Sequence, residues 1–147
     1  MARLHIHIAV SDLEASERFY STLFNHAPTT RKDDYAKWEL EDPAVNFAIS
    51  RRGARTGLDH VGLQAGDATE LDAIRTRLEQ AGIAGRAQPG AACCYARSDK
   101  YWTRDPQGIA WESFHTLDHI PTFNDAEQPE ASEGCCVPAI SADFRQP

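Results

Sequence analysis

The chain has 147 residues, of which 41% are hydrophobic and 25% charged, and its 22 acidic against 15 basic side chains give a formal net charge of −7. That length holds one ordinary domain or two small repeated halves on a shared core, and the composition excludes wholesale disorder and a fibrous fold. An acidic surface with no basic run longer than the Arg51-Arg52 pair repels duplex nucleic acid and anionic membranes, and no apolar run approaches the roughly 18 residues needed to cross a bilayer.

Residues 4–10 alternate, with Leu4, Ile6, Ile8 and Val10 on one face and His5, His7 and Ala9 on the other, which predicts a strand. Ser11-Asp12-Leu13-Glu14 carries the S-x-x-E capping pattern. Leu13, Phe19, Tyr20, Leu23 and Phe24 then recur at helical spacing, predicting a helix over about 12–24 whose aromatic stripe packs on that strand. Two alternating runs, 35–41 and 45–51, are split by Asp42-Pro43 and should pair as a meander. The pattern restarts at Leu58 with a short strand around His60, a turn at Gly66-Asp67, and a helix over 69–81 carrying Leu71, Ile74 and Leu78 inward and stopped by Gly82. A Gly/Pro/Ala-rich loop over 82–92 leads to strands at 93–103 and 109–115, joined by a turn at Asp105-Pro106-Gln107-Gly108.

Setting His5 over His60, 55 positions on, superposes two strand-then-helix beginnings. An internal duplication of a β-α-β-β-β unit follows, with halves of about 1–53 and 57–118 in an α+β domain of 1–120. Residues 121–147 shift to Pro, Glu, Asp, Ala and Ser and are expected to form a mobile acidic tail.

A histidine on the first strand of each half and a carboxylate, Glu112, within the last apolar strand converge on a metal centre. Two imidazoles and one carboxylate with open positions suit non-haem Fe(II) and, less often, other divalent ions. A lone strand histidine is more often a partnered structural residue, but Glu112 between Trp111 and Phe114 needs a cation or several donors to offset its desolvation. His5 and His7 share a face and compete; His5, the counterpart of His60, is the preferred ligand, with His7 left to orient it or to be partnered otherwise. His26, His115 and His119 lie near turns or at the end of the folded part and are expected in solvent.

The four cysteines form two adjacent pairs, Cys93-Cys94 and Cys135-Cys136, rather than spaced loop staples, and read as free thiols of a cytoplasmic protein. The N-terminus shows no secretion pattern, which fits that compartment. Vicinal sulfurs favour soft ions such as trivalent arsenic, cadmium or copper(I), although two small buried apolar residues would look the same. Lys100 could line the same mouth or sit as a solvated charge.

With these residues in view, the chain resembles the vicinal oxygen chelate superfamily of glyoxalase I, extradiol dioxygenases and bleomycin-resistance proteins. More closely, it resembles the organoarsenical carbon-arsenic lyases (the ArsI group) and the cadmium-induced proteins. The segments that carry the likeness are Val10-Ser11-Asp12-Leu13-Glu14-Ala15-Ser16 with Arg18-Phe19-Tyr20, Leu58-Asp59-His60-Val61-Gly62, Cys93-Cys94-Tyr95-Ala96 with Asp99-Lys100, and Asp105-Pro106-Gln107-Gly108 with Trp111-Glu112. The resemblance implies a cup-shaped mixed sheet of paired modules, Fe(II) on His5, His60 and Glu112, and dioxygen as co-substrate. It further implies trivalent arsenic of methylarsenite or an aromatic arsenical held by Cys93 and Cys94, with Lys100 beside the substrate. Tyr95 or His7 would shuttle a proton, and Cys135-Cys136 would capture arsenic for transfer inward. Ser98 departs from the Gln common before Asp-Lys in relatives. A homodimer is compatible with the superfamily. The rival expectations are a non-catalytic thiol protein that binds cadmium or arsenic, and a glyoxalase-like isomerase, which would need a fourth protein ligand.

Overall fold

A computed structural model describes residues 1–52, 55–124 and 137–138. The described elements run β1 (Arg3–Ala9), α1 (Leu13–Phe24), β2 (Thr30–Lys32), β3 (Tyr35–Glu41), β4 (Ala44–Ser50), β5 (Gly57–Gln64), α2 (Ala68–Gln80), β6 (Arg86–Cys93), β7 (Ala96–Arg104) and β8 (Ala110–His119). The strands form one curled sheet in the order β2-β3-β4-β1-β5-β8-β7-β6. In each half the first strand pairs in parallel with the last, β1 with β4 and β5 with β8, and the halves meet where β1 runs antiparallel to β5. The repeated β-α-β-β-β pattern is therefore a structural repeat about the β1/β5 seam.

Alternation along β1 sorts its side chains. His5, His7 and Ala9 are buried on the concave face, while Ile6, Ile8 and the following Val10 pack with Leu13, Trp38, Phe47 and Ile49 under α1. Central strand β4 is buried on both faces: Val45, Phe47 and Ile49 join that core, and Asn46 and Ser50 serve the concave side. Each large apolar side chain removed from water here contributes about 1.5–3 kcal/mol.

The capping residue of α1 is Asp12, whose side chain accepts from the Ala15 N–H at 2.9 Å, one position beyond the expected Ser11. Leu13, Tyr20 and Phe24 face the sheet, with the Tyr20 ring 4.5 Å and the Phe24 ring 5.1 Å from that of Phe47. Phe19 and Leu23, expected in the same stripe, are 61% and 63% exposed, because they lie about 100° round the helix from that row. In α2, capped by Asp67, Ile74 is buried and Leu71 and Leu78 are half-buried, as their spacing predicts.

The stretch expected to be a loop over 82–92 contains β6. Pro89 and Gly90 sit at a register break between Gln88 and Ala91, and β6 is an edge strand, where a missing N–H costs no ladder bond. The strand expected over 93–103 is in turn interrupted at Cys94 and Tyr95. β2 was not foreseen, and β8 runs on to His119. Within the stretch expected to be tail, Val137 is buried against Trp102 and Ala110; residues 125–136 and 139–147 lie outside the described residues.

Candidate metal centre and cysteine hairpin

Three strands aim one ligand atom each at a common point. His5 of β1 and His60 of β5 bring their Nε2 atoms to 3.1 Å, and Glu112 of β8 places Oε2 at 2.8 Å from His60 Nε2 and 3.8 Å from His5 Nε2. All three residues are buried. The register explains the convergence: His5 lies opposite Gly62, two residues beyond His60, and Gly62 lies beside Glu112 on the other side. Gly62 is what lets β8 come so close, since a Cβ there would stand 1.8 Å from the Glu112 carbonyl oxygen.

The outer nitrogens settle the tautomers. His5 Nδ1 donates to the backbone oxygen of Asn46 at 3.1 Å and to its Oδ1 at 3.2 Å, and Asn46 is steadied in turn by donating to Gln64 Oε1 at 3.1 Å. His60 Nδ1 donates to Asp59 Oδ1 at 2.7 Å. Each imidazole therefore turns a lone pair inward, toward the other and toward a carboxylate. Lys100 Nζ grips the second carboxylate oxygen, Oε1, at 2.8 Å, leaving Oε2 for the centre. Three acceptors meeting in a buried space require a cation among them. An ion with bonds of roughly 2.1 Å sets neighbouring donors about 3 Å apart, close to the 3.1 and 2.8 Å found about His60, while His5 and Glu112 stand wider at 3.8 Å. The donor set thus fits a divalent metal.

Without a metal a proton does part of this work. Burial, reinforced by the neighbouring His60, pushes His5 down to about 4. Burial opposes charge on His60 too, but hydrogen bonds to Asp59 and Glu112 prevail and raise it to about 9. Burial likewise works against ionised Glu112, yet Lys100 and then His60 hold its carboxyl well below the usual carboxylate range.

His7 lies directly opposite His60 in the strand register. Its ring centroid is 5.0 Å from that of His60, and its Nε2 hydrogen-bonds Ser50 Oγ at 2.8 Å. A metal cluster of His5, His7 and His60 can be drawn from donor atoms within 4.8 Å of one another, but the carboxylate contacts belong to His5 and His60. Lys100 lines a cleft with the cysteines, as expected at the mouth, and is buried there in its ion pair with Glu112 rather than in solvent. His26 and His119 are exposed and His115 is half-buried.

The cysteines share this space. This narrow cleft is lined by His5, His7, His60, Glu112, Cys93 and Cys94 together with Tyr35, Lys37, Ser98 and Lys100. Cys93 ends β6 and Cys94 opens the two-residue turn into β7, with the sulfurs 3.2 Å apart. Cys94 and Tyr95 both take positive φ, 56° and 60°, the paired left-handed conformation of a tight hairpin that normally selects Asn-Gly. Such backbone costs of order 1–3 kcal/mol per residue and gathers at functional sites. Two free thiols were expected, but Cys93 is disulfide-bonded. The Tyr95 hydroxyl donates to Asp34 Oδ1, and Tyr95 does not line the cleft. Cys135 and Cys136 lie outside the described residues.

Residues 3–113 match the sequence profile of the Glyoxalase/Bleomycin resistance protein/Dioxygenase superfamily. The chain belongs to that superfamily. Within it the chain is 36% identical to the "Trivalent organoarsenical cleaving enzyme" of Bacillus sp. (strain MD1), over 97% of this chain and 95% of the relative. It is also 36% identical to the "Cadmium-induced protein CadI" of Mycobacterium tuberculosis (strain ATCC 25618 / H37Rv), over 92% of this chain and 93% of the relative. Among solved structures, the Mn(II)-bound glyoxalase from Novosphingobium aromaticivorans superposes with a TM-score of 0.57 at 18% identity, covering 86% of this chain and 44% of that one. Homoprotocatechuate 2,3-dioxygenase from Arthrobacter globiformis gives 0.58 at 17% identity, covering 81% and 37%. At such identities these two structures bear on the fold alone. No described helix is long and apolar enough to cross a membrane.

Sequence patterning foresaw His5, His60, Glu112 and the cysteine pair, all of which meet at the cleft. It overlooked Asn46, Asp59 and Gly62. Asp59 stands next to His60 and Asn46 sits in an apolar run, so a polar residue at a buried strand position was the available signal.

Proposed function

We propose that the protein cleaves the carbon–arsenic bond of trivalent organoarsenicals, methylarsenite and aromatic arsenicals among them, and releases inorganic arsenite in a reaction that uses Fe(II) and dioxygen. One observation carries this reading: the vicinal cysteines and the His5/His60/Glu112 cluster line the same cleft. Curated relatives named as trivalent organoarsenical cleaving enzymes, at 32–36% identity, support it.

Ferrous iron held by His5, His60 and Glu112 would supply the activation of dioxygen. The protein's own contribution is placement. Cys94, and Cys93 once its disulfide is reduced, bond the trivalent arsenic through thiolate sulfur and so hold the attached carbon at the metal end of the cleft. Tethering of this kind can raise effective concentration to ~10⁵ M or more. Lys100 keeps one carboxylate oxygen of Glu112 occupied so that the other faces the centre. His7, paired with Ser50 beside His60, is the group assigned to proton handling. The Tyr95 hydroxyl instead donates to Asp34.

A non-catalytic thiol protein that binds cadmium or arsenic is the second reading, favoured by the cadmium-induced relative. His60→Ala and Glu112→Gln separate the two. On the catalytic reading both variants bind phenylarsenite within about twofold of wild type and release no inorganic arsenite on incubation with Fe(II) in air. Variants that still release arsenite at the wild-type rate would remove the metal cluster from the reaction.

A further inference from the structure

The turn that presents the two sulfurs is held from across the cleft. Asp34, in the short connection between β2 and β3, accepts from the Tyr95 hydroxyl on Oδ1 and from Arg52 Nε on Oδ2. Its own backbone is fixed because its carbonyl accepts from the Arg51 N–H at 3.0 Å. The Tyr95 ring lies between Tyr35 and Phe123, at centroid distances of 5.8 and 5.6 Å, with Lys32 Nζ 5.4 Å from its centre. The Arg52 guanidinium sits 4.4 Å from the Phe123 ring centre. On the far side the Tyr95 carbonyl accepts from the Ile120 N–H at 2.9 Å. Asp34, Tyr35 and Arg52 belong to the first half of the molecule and Tyr95 to the second, so this clasp spans the mouth next to Cys93 and Cys94.

Neither Cys94 nor Tyr95 favours the left-handed backbone it adopts, and nothing in their side-chain type replaces the Asn-Gly that such a turn normally uses. An outside constraint must select the shape. We infer that Asp34 is a positioning residue for the cysteine pair: its carboxylate, joined to Tyr95 and Arg52, holds the Cys94-Tyr95 turn so that both sulfurs face the cleft. This rests on the reading of Cys93 and Cys94 as the arsenic-binding pair.

The titrations agree with that geometry. Burial and then the bond to Asp34 push the Tyr95 phenol up to about 12. Desolvation works against ionised Asp34, but hydrogen bonds from Tyr95 and Arg52 keep it below its ordinary value.

The test uses the full-length protein with its cysteines reduced, phenylarsenite as probe, and Asp34→Asn, Tyr95→Phe, the double variant and Cys94→Ser. Asp34→Asn and Tyr95→Phe should each weaken phenylarsenite binding by about tenfold, the scale of one lost charge-assisted hydrogen bond. The double variant should be no weaker than the worse single, since both remove the same bond. Fe(II) affinity should stay within about twofold in all of them, a separation that general destabilisation would not produce. Ultraviolet titration should show the Tyr95 phenol of Asp34→Asn falling from about 12 toward the ordinary tyrosine range near 10. If wild type binds phenylarsenite at least tenfold more tightly than Cys94→Ser while Asp34→Asn binds like wild type, the positioning role is overturned and the dithiol reading stands. If wild type and Cys94→Ser bind equally, the dithiol reading falls and takes the positioning role with it. Tyr95→Phe keeps the packed ring, so an Asp34→Asn protein that fails to fold leaves the comparison intact.

Discussion

Asp59 and Asn46 offer nothing to the centre directly, yet they decide what His60 and His5 can do there. By accepting the Nδ1 proton of each ring they force the Nε2 lone pairs inward, and a histidine with the opposite tautomer would present a proton where a ligand is needed. Removing the charge of Asp59 while keeping its shape, as Asp59→Asn, should lower Fe(II) affinity by roughly 10- to 100-fold, the usual cost of losing such a partner. Titration with Fe(II) under anaerobic conditions measures this, and a change under twofold would count against the assigned tautomer. At this scale the readable residues were those whose chemistry clashed with their strand: histidines on the face opposite Ile6 and Ile8, and a carboxylate next to Trp111. Lys100 lines the cleft as expected, but its ion pair with Glu112 at 2.8 Å follows only from the fold.

Two elements bring the site to its final geometry, the β5/β8 pair and the β6–β7 hairpin. Gly62 permits the first. An alanine there would meet the Glu112 backbone at 1.8 Å and push β8 aside, carrying Glu112 off the centre. Gly62→Ala should therefore lower the melting temperature by several degrees, since overpacking of this kind costs typically about 1–3 kcal/mol, and should weaken Fe(II) binding at least tenfold. Retained Fe(II) affinity in a stably folded variant would show that the close approach is not what places the carboxylate. The hairpin was the element least visible in the sequence. Pro89 and Gly90 carry loop signals, yet the edge of the sheet tolerates them at a bulge. Cys94-Tyr95 carries no turn signal, yet the chain reverses there because packing against Tyr35 and Phe123 and the bond to Asp34 override local preference. The strand and helix of each half were legible from alternation and from capping residues, which act locally; the narrow face of α1 was not, because which apolar residues touch the sheet depends on the tilt of the helix against it.

For the whole molecule, duplication is the organising fact. Antiparallel pairing of β1 with β5 puts equivalent positions of the two halves two residues apart in register, so a histidine repeated 55 positions on brings two Nε2 atoms together at the seam. The second half then adds what the first lacks, Glu112 on β8 and the sulfurs at the hairpin tip, which line one cleft with His5 and His60. The repeat was visible as pattern; that the cysteine tip folds back over the metal end follows only from the curl of the sheet. The most direct measurement is a single-turnover assay. Reduced protein is loaded with Fe(II) without oxygen, methylarsenite is added, air is admitted, and inorganic arsenite is followed over time. Arsenite should appear only after air enters and only with Fe(II) present. Arsenite release that proceeds at the same rate without oxygen, or none at all from protein shown to hold both iron and arsenical, would contradict the proposed chemistry.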